Sequence, residues 1–424
     1  MRYLYSALVY LFRPIAFAVV LWRGLSNRLY WVGLRERFGF GPGCGSPTIW
    51  VHAVSLGEVN AAAPLIRTLQ ARYPHIPVLL TTATPTGRAK AHALFGGSIA
   101  VRFLPYDTPG AMRRFVTRVR PCLAIIMETE LWPNLFNECR RGGIPVVLAS
   151  ARLSLKSVAR YRRFGGLFRG VFSGNTLVAA QTAEDAERFM AIGADRSRTR
   201  VIGNVKFDMA IDAAQIARGF ELRSAYWGAR PVWIAGSTHA GEEEPVLAAH
   251  AELQADAAGA LLLLVPRHPE RFQAVADLLG RRGVRFERRS SGNAVRPDCQ
   301  VLLVDTVGEL AELYAAVDVA FVGGSLVPVG GHNLLEPAAL GVPVIMGPYQ
   351  SSGKEIAQLL LQQGAALQVA DAEQLAAVLK QLFADPARRQ RVGSRGRHVV
   401  DVNRGSVARL LDLIEPILGA KPIL

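Results

Sequence analysis

The stretch FVGGSLVPVGGHNLLEPAALGVPVIMGP, Phe321 to Pro348, packs a strand, a loop, a helix and a second strand into one short run. The apolar run ending at Val322 predicts a strand that empties into two glycine pairs, Gly323-Gly324 and Gly330-Gly331. His332, Asn333 and Glu336 follow, Pro337 reads as opening a helix, and Val342 to Met346 predicts the next strand. Glycine lets the backbone approach a ligand closely, and proline suits the first turn of a helix. A helix N-terminus offers free N–H groups and partial positive charge, which suit a phosphate. The same pattern also fits an ordinary turn in which Glu336 only complements the helix dipole, so the rest of the chain has to decide.

Working outward, nearly continuous apolar runs alternate with helical patterns. In the first half they are Thr48 to Val54, Pro77 to Thr82, Val101 to Leu104, Leu123 to Met127, Pro145 to Ala149 and Leu177 to Ala180. In the second they are Pro231 to Ala235, Ala260 to Val265, Val284 to Glu287, Gln300 to Val304, Val317 to Val322 and Val342 to Met346. Strands apolar throughout are those buried on both faces of a parallel sheet, and helices such as Val59 to Tyr73 and Ala183 to Ile192 supply the crossovers. A polar helical stretch, Asp208 to Arg230, separates the two sets. The expectation is α/β, two Rossmann-like domains at residues 25–207 and 208–424, with polar loops at the strand ends facing a cleft. The final segment, Pro386 to Leu418, reads as helical and is expected to pack back on the first domain.

The chain has 424 residues, half of them hydrophobic, with 49 Lys+Arg against 34 Asp+Glu for a net charge of +15. That balance points to a polyanionic partner, whether nucleic acid, anionic lipid or a phosphorylated substrate. Scattered arginines without aromatic interleaving or zinc-finger spacing argue against nucleic acid. Cys44, Cys122, Cys139 and Cys299 form no CxxC and read as reduced thiols. Tyr3 to Trp22 is apolar apart from Arg13, about the length a bilayer span needs, so residues 1–24 are expected to anchor the chain in a membrane. Arg13-Pro14 in mid-segment leaves a span and a surface-lying helix both open. Arg23, Arg28, Arg35 and Arg37 put the remainder on the cytoplasmic side. Gly39 to Pro47 reads as a turn-rich linker.

Four loops at predicted strand ends carry the polar candidates. In Ser55-Leu56-Gly57-Glu58 the glutamate fits a general base, yet Ser55-x-x-Glu58 is also a capping box, and spacing alone favours the cap. In Glu128-Thr129-Glu130, alternation on an extended chain would set both carboxylates on one side and raise one pKa. Gly236-Ser237-Thr238-His239, before the acidic run Glu242 to Glu244, fits an anion site at a helix start or plain N-capping. Arg267-His268, on a Pro-flanked loop, offers bidentate donors to a phosphate or carboxylate. Lesser candidates are Lys206 and the run Asp305 to Glu309. The sequence holds no GxGxxG, P-loop, HExxH or D-x-D, and basic groups would have to neutralise a leaving phosphate. The basic stretch Arg152 to Arg169 fits lipid phosphates or a solvated face equally.

HAVSLGEV (from His52), LPYDTP (from Leu104), METELWPN (from Met127), GNVKFD (from Gly203), AGSTHAGEE (from Ala235), VPRHPERF (from Val265) and GGHNLLEPA (from Gly330) together closely resemble the 3-deoxy-D-manno-octulosonic acid (Kdo) transferases of lipopolysaccharide synthesis. The resemblance runs in order over nearly the whole chain. It implies a GT-B glycosyltransferase fold, no cofactor and no metal. It implies an inverting transfer of Kdo from CMP-Kdo to a lipid A precursor at the inner face of the bacterial inner membrane. By motif position Glu58 matches the general base, overturning the preference for the cap, and Glu128 and Lys206 match residues that stabilise the transition state. Arg267, His268, Thr306, Val307, Gly308, Asn333, Leu334, Leu335 and Glu336 match CMP-binding positions. Gly236, Ser237, Thr238 and His239 are secondary donor-binding candidates.

Overall fold

The computed structural model of the chain describes residues 1–209, 212–292 and 294–419. The chain forms two compact units, one of Met1–Met209 with Asn403–Leu424 and one of Ala210–Val402. Residues 210 and 211, inside the predicted polar stretch between the sheets, lie outside the described residues. On either side of them stand a short turn, Val205–Asp208, and the helix Ala213–Leu222.

The first unit holds a sheet of seven strands: β1 (Thr48–His52), β2 (Val78–Thr82), β3 (Ala100–Phe103), β4 (Pro121–Met127), β5 (Val146–Ala151), β6 (Thr176–Ala180) and β7 (Thr199–Val201). Its order is β3-β2-β1-β4-β5-β6-β7, every pairing parallel. Because side chains alternate across a strand, Ile49 and Val51 pack into one core and Trp50 into the other. The order reverses direction at β1/β4, the switch point where loops diverge and ligands lodge in such sheets.

The second unit repeats the plan with β8 (Val232–Thr238), β9 (Leu261–Pro266), β10 (Phe286–Arg288), β11 (Val301–Leu303), β12 (Val319–Val322), β13 (Val344–Met346) and β14 (Ala366–Gln368). Its order is β10-β11-β9-β8-β12-β13-β14, again all parallel, with the switch point at β8/β12. Two strands escape the sequence reading, β7 and β14. Each has three residues and a single neighbour at a sheet edge, so half-exposed patterns replace a continuous apolar run.

The predicted C-terminal helix is two helices. Pro386–Asn403 lies in the second unit up to Val402, and Ser406–Gly419 belongs to the first. Val407, Leu410, Leu411, Ile414 and Leu418 of the latter complete the core under β1 and β4. Both Asp208 carboxylate oxygens accept N–H bonds at its start, from Gly405 (2.6 Å) and Val407 (2.5 Å).

The N-terminal helix Arg2–Ser26 is long and apolar enough to cross a membrane by length and composition. One stripe at helical spacing is docked. Tyr5 donates to Asp107 (2.9 Å), Ser6 to Asn134 (2.9 Å), Arg13 lies over the Phe38 ring and Phe17 meets Phe38 edge-on. The other faces leave Leu4, Leu8, Leu11, Phe12, Ile15, Val19, Trp22 and Leu25 exposed. The turn-rich segment after it is no free linker. A side chain at Gly39, whose φ is +79°, would strike the Ala111 carbonyl, and Arg102 and Arg114 donate to the carbonyls of Pro42 and Phe38.

Candidate active site

In the first unit the polar candidates converge where β1, β4 and β5 end. Glu58 sits in the first turn of the helix Leu56–Arg72, and Ser55 does cap it, although the return bond from Glu58 reaches the N–H before the cap residue. Ser55 Oγ accepts from the Glu58 N–H (3.4 Å), and Glu58 Oε2 accepts from the Val54 N–H (2.8 Å). Burial drives the Glu58 carboxyl up to about 7, reinforced by the charges of Glu128 and Glu130 and opposed by its bonds to Val54 and Ser55. A structural cap needs no such elevation, whereas a proton acceptor working near neutral pH does.

Glu128 does not sit on an extended chain as expected. The strand stops at Met127 and Glu128 takes φ +54°, so alternation does not govern its direction relative to Glu130. Its carboxylate is gripped from two sides, Lys206 Nζ on Oε1 and Arg152 Nε on Oε2, each at 2.9 Å. Burial alone would raise its pKa, but the two cations outweigh burial and hold it below the usual carboxylate range. Glu130, bonded to Trp132 Nε1 at 2.7 Å, goes the other way, raised by burial and in lesser part by Glu128. Three neighbouring carboxyls thus split, one firmly anionic and two drawn upward.

Sequence reasoning grouped Arg152 with a basic stretch that fits lipid phosphates or a solvated face. The structure turns its Nε onto Glu128 instead, while Lys156, Arg160, Arg162 and Arg163 remain on the helix Leu155–Arg163. The signal was present, because Arg152 directly follows the last residue of β5, at the same sheet edge as Glu128. Asp107 was also passed over inside LPYDTP. It is buried, accepts from the backbone N–H of Asn134 (3.0 Å) and Leu135 (2.7 Å) and from Tyr5, and so fixes the segment that follows Glu130.

In the second unit the loops after β8, β9 and β12 gather around the glycine pairs. Gly323 lies against the backbone of Ser237 and Thr238, where a Cβ would stand 2.6 Å from the Ser237 carbonyl oxygen. Gly324, at φ +69°, lies against His332, whose ring a Cβ would meet at 3.0 Å. His239 Nε2 and His332 Nε2 are 2.8 Å apart, and the His268 ring stands edge-on to His239 at 5.2 Å. Arg267 is exposed and has no acidic partner among the described residues; Gly308, at φ +98°, and Val307 lie open, and Thr306 Oγ1 is buried without a hydrogen bond. Among the described residues no three His, Cys, Asp or Glu side chains cluster to hold a metal ion.

Two expectations need correction here. The helix near Pro337 starts at Leu335, is five residues long and has Leu334 at its cap, so its dipole is small. Its first turn is bonded internally, with Asn333 Oδ1 accepting from the Leu335 N–H (3.1 Å) and Asn333 Nδ2 donating to Glu336 (3.0 Å). Second, four N–H groups of the GSTH and glycine loops are already taken by the protein itself. The fully buried Glu242 accepts from the N–H groups of His239 (2.9 Å), Gly324 (2.7 Å), Ser325 (2.9 Å) and Leu326 (2.8 Å). An anion here would meet the side chains of Arg267 and the histidines, and not those four backbone donors. The sequence showed Glu242 only as the first of three acids at a helix start.

Comparison with known proteins agrees with this layout. The family of 3-deoxy-D-manno-octulosonic-acid transferase (kdotransferase) matches residues 32–209, and glycosyl transferases group 1 matches residues 264–399. A 3-deoxy-D-manno-octulosonic acid transferase of Haemophilus influenzae is 40% identical over 98% of this chain and 99% of its own length. One of Bordetella pertussis is 43% identical over 88% of this chain and 87% of its own. In fold alone, the UDP-GlcNAc 2-epimerase of Neisseria meningitidis, solved bound to UDP-GlcNAc, is similar with a TM-score of 0.57. It covers 88% of this chain and all of that one at 13% identity. With such identity over nearly its full length, the chain belongs to the 3-deoxy-D-manno-octulosonic acid transferase family and is a glycosyltransferase of the GT-B fold.

Proposed function

We propose that the enzyme transfers Kdo from CMP-Kdo to the lipid A precursor, lipid IVA, with inversion and without a metal, in building the lipopolysaccharide inner core. A glucosamine hydroxyl of the acceptor attacks the anomeric carbon of Kdo. Its proton passes to Glu58, the bond from that carbon to the phosphate oxygen breaks, and the electron pair leaves with CMP. The observation that carries this reading is the Glu58 carboxyl, held at about 7 beside a Glu128 that stays anionic between Lys206 and Arg152. A base of that strength accepts a proton at neutral pH, and a fixed carboxylate favours the positive charge that develops on the sugar ring.

The first unit binds the acceptor and the second the donor. Arg267 and His268 meet the donor's phosphate, with the loops Thr306-Val307-Gly308 and Asn333-Leu334-Leu335-Glu336 around the cytidine and ribose. Gly236, Ser237, Thr238 and His239 form the floor of that site. The N-terminal helix attaches the enzyme to the cytoplasmic surface of the inner membrane by lying in it. Contacts from Tyr5 to Phe17 hold about 18 Å of helix against the domain, leaving too few residues beyond to cross ~30 Å of hydrocarbon.

Incubation with CMP-Kdo and the tetraacylated precursor tests the reading by product mass. A gain of Kdo with stoichiometric CMP release is the expected result. Release of CMP with an unchanged acceptor, or turnover of a UDP-sugar instead, would overturn it.

A further inference from the structure

We propose that His239 and His332 form a proton-sharing pair that recognises the anionic donor by taking up a proton as the donor binds. The proposal rests on the reading of this loop cluster as the donor site. The two rings are almost parallel, 11° apart, with centroids 5.0 Å apart and Nε2 atoms only 2.8 Å apart. A centroid separation so much longer than the N–N contact means that the imidazoles meet tip to tip, not face to face. A nitrogen–nitrogen contact of that length requires a single proton on the line, so one Nε2 is a donor and the other a bare acceptor. The donor ring's Nδ1 is then the place where a further proton can enter without breaking the bond, and the bond becomes charge-assisted.

The surroundings keep the free pair short of that proton. Burial, His239, Arg267 and His268 push His332 down to about 4. Burial first, then His268, Arg271 and Arg267, push His239 down, against the pull of Glu242. Glu242 is the one acid in that set, and four backbone N–H groups already occupy its oxygens. Arg271 is likewise engaged, bidentate on Glu243 at 2.6 and 3.0 Å. A phosphate and a carboxylate arriving beside Arg267 would replace a net positive setting with a negative one, which favours the protonated pair. The fold preserves the arrangement by close fit. Gly324 leaves room for the His332 ring, and Glu242 fixes the backbone of both Gly324 and His239.

Isothermal titration with the methyl phosphodiester of CMP tests this, since that phosphate has no proton to exchange near neutrality. Titrations at pH 7 in buffers of different ionisation enthalpy should report uptake of about one proton per site, with affinity rising toward tenfold per unit as pH falls. His332→Asn and His239→Asn should each remove the uptake and weaken binding at pH 6.5, while His268→Asn should keep it. Binding without proton uptake by the unaltered enzyme would overturn the pair's role even if the variants misfold. Uptake that survives His332→Asn but not His268→Asn would do the same. No binding at all would overturn the donor-site reading and the pair together.

Discussion

Replacing Glu58 by Gln separates the hydrogen bonds that its carboxyl makes at the helix start from the proton transfer proposed for it. Gln at the third helical position still accepts from the Val54 N–H, so the cap survives, but it cannot take a proton. We expect Glu58→Gln to lower kcat by about 10²- to 10⁴-fold without lowering the thermal midpoint, measured by CMP release and calorimetry. The pH dependence follows from the raised carboxyl. As a base it must be anionic, so activity should fall as pH drops through about 7. Stability runs the opposite way: the protonated form's contribution is complete below the unfolded value of 4.5 and is lost as pH rises through about 7. The enzyme should therefore be most active where Glu58 helps the fold least, and Glu58→Gln should erase both trends. Glu128→Gln gives an independent check. Removing its charge takes away a repulsion that raises Glu58, so the acid limb of the remaining activity should move to lower pH. A limb that stays in place would show that the two carboxyls do not communicate.

At the scale of elements, the helix Ser406–Gly419 is the part of the first unit most distant in sequence from what it covers. Leu410 is fully buried in the core beneath β1 and β4. Leu410→Ala should destabilise the unit by about 2–5 kcal/mol, seen as a lowered denaturation midpoint. Asp208→Ala, which frees the N–H groups of Gly405 and Val407, should cost about 1–2 kcal/mol. If truncation after Asn403 left the midpoint unmoved, the helix would be an accessory. The apolar face of this helix was readable in the sequence; the break before it was missed although Gly405, at φ +89°, is a usual helix-end signal, because the runs on both sides of it are helical in pattern. The same contrast holds elsewhere. Twelve strands were legible because strands buried on both faces are apolar throughout. Polar residues at strand ends were legible as a set, since a parallel sheet sends all its carboxyl ends to one edge. What stayed hidden was which polar group meets which. The left-handed turn at Glu128, just past the end of β4, and the return of Glu242 onto a loop some eighty residues away are tertiary choices that no local pattern encodes.

For the molecule as a whole, a net charge of +15 and an apolar N-terminal helix point to the same surface by different forces. Coulomb attraction to anionic headgroups, about 1 kcal/mol per basic residue near the surface, is screened by salt, whereas burial of apolar side chains is not. Leu8, Leu11 and Ile15 are exposed on the helix and make no part of its docked stripe, so changing all three to Glu should leave the fold intact. We expect the unaltered enzyme to sediment with anionic vesicles and to remain partly bound in 1 M salt. The triple variant should bind only at low salt, through charge alone. An alkaline carbonate wash then separates a helix lying in the interface from one crossing the bilayer. The docked stripe holds Arg13 against Phe38 and Tyr10, so the one charge within the apolar stretch Tyr3 to Trp22 is already accommodated by the protein. With much of its length committed to the domain, the helix should be released by the wash. Retention in the pellet would mean that the contacts of Tyr5, Ser6 and Phe17 give way in the membrane and that the helix crosses it.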